Sequence, residues 1–221
     1  MKDKLQEVNI ADQGIRERNI DISLALVKNA YEFYKRGWLS GTSGNLSALI
    51  SRSPLVLSIT GSGLDKSVLN LQDIVYVDDL GNVISGKRKP SSETLLHIAA
   101  IKQRKCGAVF HTHSIWGTIL SKKHLKDGGF QIEGYEMLKG LENVISHDHG
   151  EWIPVLENSQ DMISLSTKVR DLLETNKNIH CFLLSGHGLY TWGKNIETAK
   201  RHTEVLEFLL EVHGRNVYSG T

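Results

Sequence analysis

Apolar residues recur along the chain in two periods, and the switches between the periods mark out the elements. Ile22, Leu26, Ala30 and Phe33 stand at helical spacing, so this stretch predicts a helix with one buried face. Asp21 is placed to cap it and Gly37 to close it. The small, polar stretch Gly41-Thr42-Ser43-Gly44-Asn45-Leu46-Ser47 then reads as a loop. Leu55 to Thr60 reads as a strand that empties into a second such loop, Gly61-Ser62-Gly63. Ile74 to Val77 and Val83 to Ser85 read as strands around an Asp79-Leu80-Gly81-Asn82 turn, and Pro90-Ser91-Ser92-Glu93 opens a helix reaching about Arg104, with the serines as caps.

The apolar run Gly107-Ala108-Val109-Phe110 ends in His111-Thr112-His113 and reads as a buried strand. A helix from Ile115 to Leu120 follows, then a polar loop holding Gly128 and Gly129, and a short helix at Tyr135 to Gly140. Trp152 to Leu156 predicts a strand, Met162 to Leu173 a helix, and residues 181 to 185 and Tyr190 to Gly193 two more strands. Ile196, Ala199, Val205, Leu206, Leu209 and Leu210 mark a long closing helix. Strands and helices interleave without strict βαβ alternation. The expected fold class is α/β: one domain over 21–221 with a mainly antiparallel sheet layered between helices, after an N-terminal polar segment over 1–20.

Composition narrows the class. The chain has 221 residues, 40% of them hydrophobic, enough for a sizeable core, with a formal net charge of +1. That balance indicates neither a nucleic-acid footprint nor an acidic tail. Cys106 and Cys181 form no C-x-x-C and lie in or beside apolar runs, so they read as small core residues. The polar start Met1-Lys2-Asp3-Lys4 leads into no apolar segment, and no stretch approaches the roughly 18 apolar residues of a membrane span. The expectation is a cytoplasmic chain with no membrane or nucleic-acid partner.

Chemistry concentrates at the His-x-His. On a strand, alternate side chains share a face, so His111 and His113 point the same way. Two imidazoles at a strand end make half of a metal site, and a catalytic zinc takes three protein ligands and keeps one position open. His187, in Leu183-Leu184-Ser185-Gly186-His187-Gly188, is the best third ligand, because another apolar run ends there at a histidine between glycines. A second His-x-His, His147-Asp148-His149, sits in a polar patch without a stiff scaffold and reads as exposed loop. His97 lies in a helix and packs or orients a neighbour; His124, His180, His202 and His213 show no partner at ligand spacing.

Three segments, Thr42 to Asn45, Thr60 to Gly63 and Ser91 with Ser92, are rich in small hydroxyl residues and glycine. Such segments expose amides that suit an anion, and the third lies at a helix N-terminus. Each taken singly is also a tight turn, and none matches a P-loop or a dinucleotide fingerprint. Glu93 and Glu136 are the carboxylates to weigh as proton carriers beside a metal.

Thr42-Ser43-Gly44-Asn45-Leu46-Ser47, Pro90-Ser91-Ser92-Glu93-Thr94, His111-Thr112-His113 and His187-Gly188 appear in this order. Together they resemble the class II aldolase family, which holds sugar-phosphate aldolases, an epimerase and the adducin head. The resemblance runs from about residue 20 to 213. Trp38, Glu136-Met137-Leu138-Lys139-Gly140, Pro154 to Ser159 and Tyr190-Thr191-Trp192-Gly193 are similar to the family's dehydratase branch, which acts on 5-methylthioribulose 1-phosphate in methionine salvage. The resemblance implies a three-layer α/β/α fold, one zinc per subunit and a homotetramer. It implies zinc on His111, His113 and His187, and the phosphate of a small phosphorylated ketose near Asn45, Thr60, Gly61, Ser91 and Ser92. It places the aldolase acid/base at Glu93 and the dehydratase catalyst at Glu136. Glu136 is therefore the expected catalyst and Glu93 a neighbour on the substrate or metal side. An aldolase or epimerase is the alternative activity, and a non-catalytic binding module the remote one, since it would lack the intact histidine triad.

Overall fold

A computed structural model describes residues 14–219. Most of the expected N-terminal polar segment lies outside the described residues; 14–18 are helical, and Arg16 ties this part down by donating to the carbonyl of Leu71 at 2.7 Å. The elements then run α1 (Ile20–Lys35), β1 (Asn45–Arg52), β2 (Leu55–Thr60), β3 (Ile74–Val77), β4 (Val83–Ser85), α2 (Thr94–Arg104) and β5 (Ala108–Thr112). They continue with α3 (Ile115–Lys123), β6 (Gly129–Ile132), a 3-10 turn (Glu136–Gly140), β7 (Glu151–Leu156), α4 (Met162–Thr175), β8 (Cys181–Leu184), β9 (Gly188–Gly193) and α5 (Ile196–Tyr218).

The strands form one sheet in the order β4-β3-β2-β1-β5-β9-β8-β7-β6. Every pairing is antiparallel except β7 with β8. Side chains alternate across it, as the pleat requires. Val109, Phe182, Leu184 and Tyr190 pack with Leu96 and Ile101 of α2 and Leu165 and Val169 of α4. Ala108 and Phe110 point the other way, toward α1, and Cys181, Leu183 and Leu189 pack with α3 and α5. The result is the expected three layers, helix on sheet on helix.

Several local expectations need correction. Asn45 to Ser47 do not belong to a loop: they open β1, paired with β5. β6 falls where a polar loop was expected, because Phe130 and Ile132 alternate inward on an edge strand too short for the pattern to register. Asp21 lies in the first turn of α1, and Asn19 holds the cap position. Glu93, with no side-chain cap bond, holds the cap position of α2, while Ser91 Oγ accepts from the Glu93 amide at 3.2 Å.

β1, β5 and β9 bring three ends to one edge of the sheet: the start of β1, the end of β5 and the start of β9. The β8–β9 hairpin is closed by Ser185-Gly186-His187, with Gly186 in the left-handed region at φ 65° and the His187 amide donating to Leu184 at 3.0 Å. Gly188 lies so close to β5 that a Cβ there would stand 2.0 Å from the carbonyl oxygen of Thr112. Gly188→Ala must push two core strands apart, and we expect it to cost about 1–3 kcal/mol or more, read as a lowered urea midpoint. An unchanged midpoint would show that β9 moves away without loss.

Candidate active site

The pairing of β5 decides what meets at this edge. Asn45 of β1 and Tyr190 of β9 lie directly opposite His111 on either side. His111, on the α2 side of the sheet, faces the residues that lead into that helix. His113 follows β5 on the same side, its amide donating to the Trp38 carbonyl at 2.8 Å. His187 arrives from the hairpin, whose position is fixed by Thr118 Oγ1 donating to the His187 carbonyl at 3.0 Å. His111, His113, His187 and Glu93 each offer one donor atom, and these atoms lie within 4.8 Å of one another.

The ring nitrogens are individually constrained. His111 Nδ1 lies 3.0 Å from the Leu189 carbonyl, which can only accept, so Nδ1 carries the proton and Nε2 keeps a lone pair toward the cluster. His113 Nε2 lies 2.7 Å from that nitrogen, and Glu93 Oε2 3.5 Å from it. Glu93 Oε1 is 3.0 Å from His187 Nε2, and His187 Nδ1 is buried without a partner. The His111 ring stacks on Tyr190 at 3.9 Å between centroids and 13° between planes, and Tyr190 stacks on Phe182 at 4.8 Å. This ladder fixes the plane of the imidazole.

Burial pushes His111 down to about 4, against the pull of Glu93, and together with His111 pushes His113 down to about 3. Both rings are therefore neutral near pH 7, with lone pairs free to ligate. Burial alone would raise the Glu93 carboxyl. In acid, where His111 takes up a proton, its charge together with the hydrogen bonds from His187 and Asn45 outweighs burial and holds the carboxyl well below the usual carboxylate range. Three converging imidazoles, two of them neutral, one ionised carboxylate and an outer carbonyl on His111 form a donor set that suits a divalent metal.

Behind the cluster a polar relay fixes Glu93. Asn45 Nδ2 donates to Glu93 Oε2 at 2.6 Å and to Ser91 Oγ at 3.0 Å. Its Oδ1 accepts from His97 Nε2, and His97 Nδ1 lies 2.7 Å from Ser47 Oγ. The carbonyl oxygen of Asn45 fixes its amide orientation through His97. This is the orienting role expected of His97. Thr60 Oγ1 accepts from the Leu46 amide at 3.2 Å, beside Asn45. The Gly61 amide is already spent on Asp73 at 2.7 Å, and Ser92 is exposed.

Glu136 lies outside the cluster within this chain. Its side chain is 71% exposed, 2.6 Å from Lys139 Nζ and 3.8 Å from His147 Nδ1. Its neighbour Met137 lines a cavity of about 460 Å³ together with Trp38, whose carbonyl holds His113. Sequence reasoning missed Lys66. This side chain is buried, donates to the carbonyls of Thr42 at 3.1 Å and Leu64 at 2.8 Å, and is pushed by burial down to about 8. Its only signal was a lysine three residues past a glycine-rich turn, and that is ordinarily a solvated residue. The expectation that His180 has no ligand-spaced partner is also corrected: His149, Glu151 and His180 form a second cluster.

Residues 25–213 match the family model described as Class II Aldolase and Adducin N-terminal domain. The chain belongs to the class II aldolase and adducin N-terminal domain family. It is 38% identical over 191 residues to a methylthioribulose-1-phosphate dehydratase of Pseudomonas syringae pv. syringae (strain B728a), covering 86% of this chain and 92% of that one. It is 40% identical over 181 residues to a protein of the same name from Methylococcus capsulatus, covering 81% and 86%. Among solved structures, an L-fuculose 1-phosphate aldolase superposes with a TM-score of 0.75 at 23% identity, covering 91% of this chain and 88% of that chain. That likeness speaks for the fold. No helix among the described residues is long and apolar enough to cross a membrane.

The burial of His97 generates a pH dependence. Burial lowers it from the usual 6.5 to about 4. Between those values the unfolded chain binds the extra proton and the native chain does not, so stability is lost as pH falls through this window. With chelator present, the wild type should lose up to about 3 kcal/mol relative to His97→Gln between pH 6.5 and 4, at 1.36 kcal/mol per unit. Urea midpoints at stepped pH measure this, and parallel curves for the two chains would refute it.

Proposed function

We propose that this chain is a zinc-dependent hydro-lyase that dehydrates 5-methylthioribulose 1-phosphate to 2,3-diketo-5-methylthiopentyl 1-phosphate in methionine salvage. The observation that carries this reading is the meeting of three imidazoles, His111 and His113 held neutral by burial, with an ionised carboxylate at one sheet edge, in a chain whose curated relatives of similar length bear the dehydratase name. We assign zinc to His111, His113 and His187, one ion per chain, in a cytoplasmic homotetramer. Bound there, zinc supplies an electrophile that polarises the C2 ketone and acidifies the C3 proton.

The remaining work falls to protein groups. Glu136 takes the proton from C3 and returns it to the C4 hydroxyl, which departs as water; the enol so formed becomes the second ketone. Asn45, Thr60, Gly61, Ser91 and Ser92 border the 1-phosphate, with the Ser91, Ser92 and Thr60 hydroxyls as its donors, while Asn45 and Gly61, whose N–H groups are held by Glu93, Ser91 and Asp73, shape the subsite. Glu93 stays ionised beside the imidazoles and orients them. A carboxyl held so far below its usual range has little affinity for a proton, so it is a weak base. Proton transfer is assigned to Glu136 because its stretch is similar to that of the dehydratase branch, and the weak basicity of Glu93 agrees with that assignment.

The test is a substrate panel with and without chelator. The wild type should consume the methylthio ketose and leave L-fuculose 1-phosphate uncleaved, with activity lost on chelation and restored by zinc. Glu136→Gln should keep its metal and lose about 10²–10⁴-fold in turnover. Cleavage of fuculose 1-phosphate instead, abolished by Glu93→Gln and not by Glu136→Gln, would establish the aldolase reading in its place.

A further inference from the structure

We infer that the chain carries a second divalent-cation site, of the zinc type, built from His149, Glu151 and His180. This goes beyond the proposed reaction and uses none of its residues. Glu151 is the first residue of β7 and His180 immediately precedes β8. These two strands are parallel neighbours, so their starts lie side by side. His187 follows the far end of β8. At about 3.3 Å per residue the two clusters are on the order of 15 Å apart, at opposite ends of the sheet.

The donor atoms already converge. The Glu151 carboxylate is 1% exposed. Its Oε1 accepts from the His180 amide at 2.9 Å. Its Oε2 lies 2.8 Å from His149 Nε2 and 2.9 Å from His180 Nδ1. The other nitrogen of His180, Nε2, lies 2.8 Å from the Glu142 carbonyl and must donate to it. With Nε2 spent on that carbonyl, Nδ1 faces the Glu151 carboxylate, which draws His180 toward its protonated form against the effect of burial. The place between Nδ1 and Oε2 is thus built for a positive charge, and a divalent cation competes with the proton for it. Two imidazole nitrogens and one carboxylate oxygen are a ligand set zinc takes, and a backbone carbonyl on the far side of a ligating imidazole is the usual outer support.

The site also has room. His149, His180, His202, Glu142, Arg104 and Trp192 all line one cavity of about 660 Å³. A ligand set of three would leave its open position toward that space. Ligand atoms around zinc stand about 3.3 Å apart, given bonds of roughly 2.0–2.1 Å in a tetrahedron. The present separations need to widen by about half an ångström, and His149, part-exposed on a loop, is free to do so.

The test counts metal. Full-length chain is stripped with chelator, dialysed against buffered zinc and analysed for bound zinc per folded chain. We expect two ions on the wild type, one on His149→Ala, one on His187→Ala and none on the chain carrying both substitutions. Circular dichroism checks that each chain is folded. On the unmutated chain, zinc should also slow carbethoxylation of His149 and His180, mapped by peptide mass. One ion on the wild type that His149→Ala removes and His187→Ala retains would uphold this site while removing zinc from the proposed reaction. A His149→Ala chain that binds as much zinc as the wild type, with both histidines modified at the same rate with and without zinc, would overturn the inference. Glu151 would then hold a protonated His180 and no metal.

Discussion

The site depends on the register of β5 between β1 and β9. Asn45, His111 and Tyr190 stand in one row across three strands, and the row sets the composition of the cluster. Tyr190 gives His111 a flat surface, the Leu189 carbonyl fixes its tautomer, and Asn45 delivers Glu93 to it. Because side chains alternate, a slip of one residue in β5 would carry His111 to the other face and replace it with Thr112. Thr112 in fact points the opposite way, where its hydroxyl donates to the buried Glu207 of α5. That bond makes a slip costly, since the Glu207 carboxyl is buried and Thr112 is, with Ser114, one of its donors.

Placing several imidazoles and a carboxylate in a dry sheet edge is expensive, and the surroundings show how the cost is met. Each charged or polar atom has a fixed partner wherever the chain can supply one: Ser47 on His97, His97 on Asn45, Asn45 on Glu93. Burial keeps His97, His111 and His113 neutral near pH 7, beside the ionised Glu93. The nitrogen left unpartnered, His187 Nδ1, is on the hairpin, which is also the part of the cluster with the freest approach. A partly satisfied polar network in a low-dielectric place is stable only if something completes it or the fold is strong enough to hold it open. The converging donor atoms of His111, His113, His187 and Glu93 could hold a metal ion that completes this one.

What was legible in the sequence was what depends on local period. His111 and His113 at spacing two, after an apolar run, announced a shared face, and His187 between glycines marked the end of a second apolar run before a further strand. The layering followed from the mixture of periods. Asn45 was misread because a glycine-rich approach hides a strand whose first residues are polar; its strand character comes from pairing with β5, which is not a local property. Lys66 and His180 were invisible for the same reason. Lys66 is buried by Thr42 and Leu64 folding over it, and His180 finds Glu151 across 29 residues because β7 and β8 run parallel. The second His-x-His was half understood: His147 is exposed, as its polar setting suggested, whereas His149 turns back onto the start of β7.

The two carboxylates weighed beside the metal differ most in their freedom. Glu93 begins a helix, its oxygens are taken by Asn45 and His187, and its neighbours favour the charged form so strongly that protonation is remote. A group so fixed is good at holding geometry and poor at carrying protons. Glu136 sits on a short turn with its carboxylate in water, its charge favoured by the hydrogen bond from Lys139. An exposed ion pair of this kind contributes little to stability. It gives way cheaply when a substrate or a second chain covers the turn, and the carboxylate's proton affinity rises as water is excluded. Glu93 is thus fixed by its neighbours and Glu136 loose in water, and the proposed division of labour, one carboxylate as anchor and the other as proton carrier, rests on that difference.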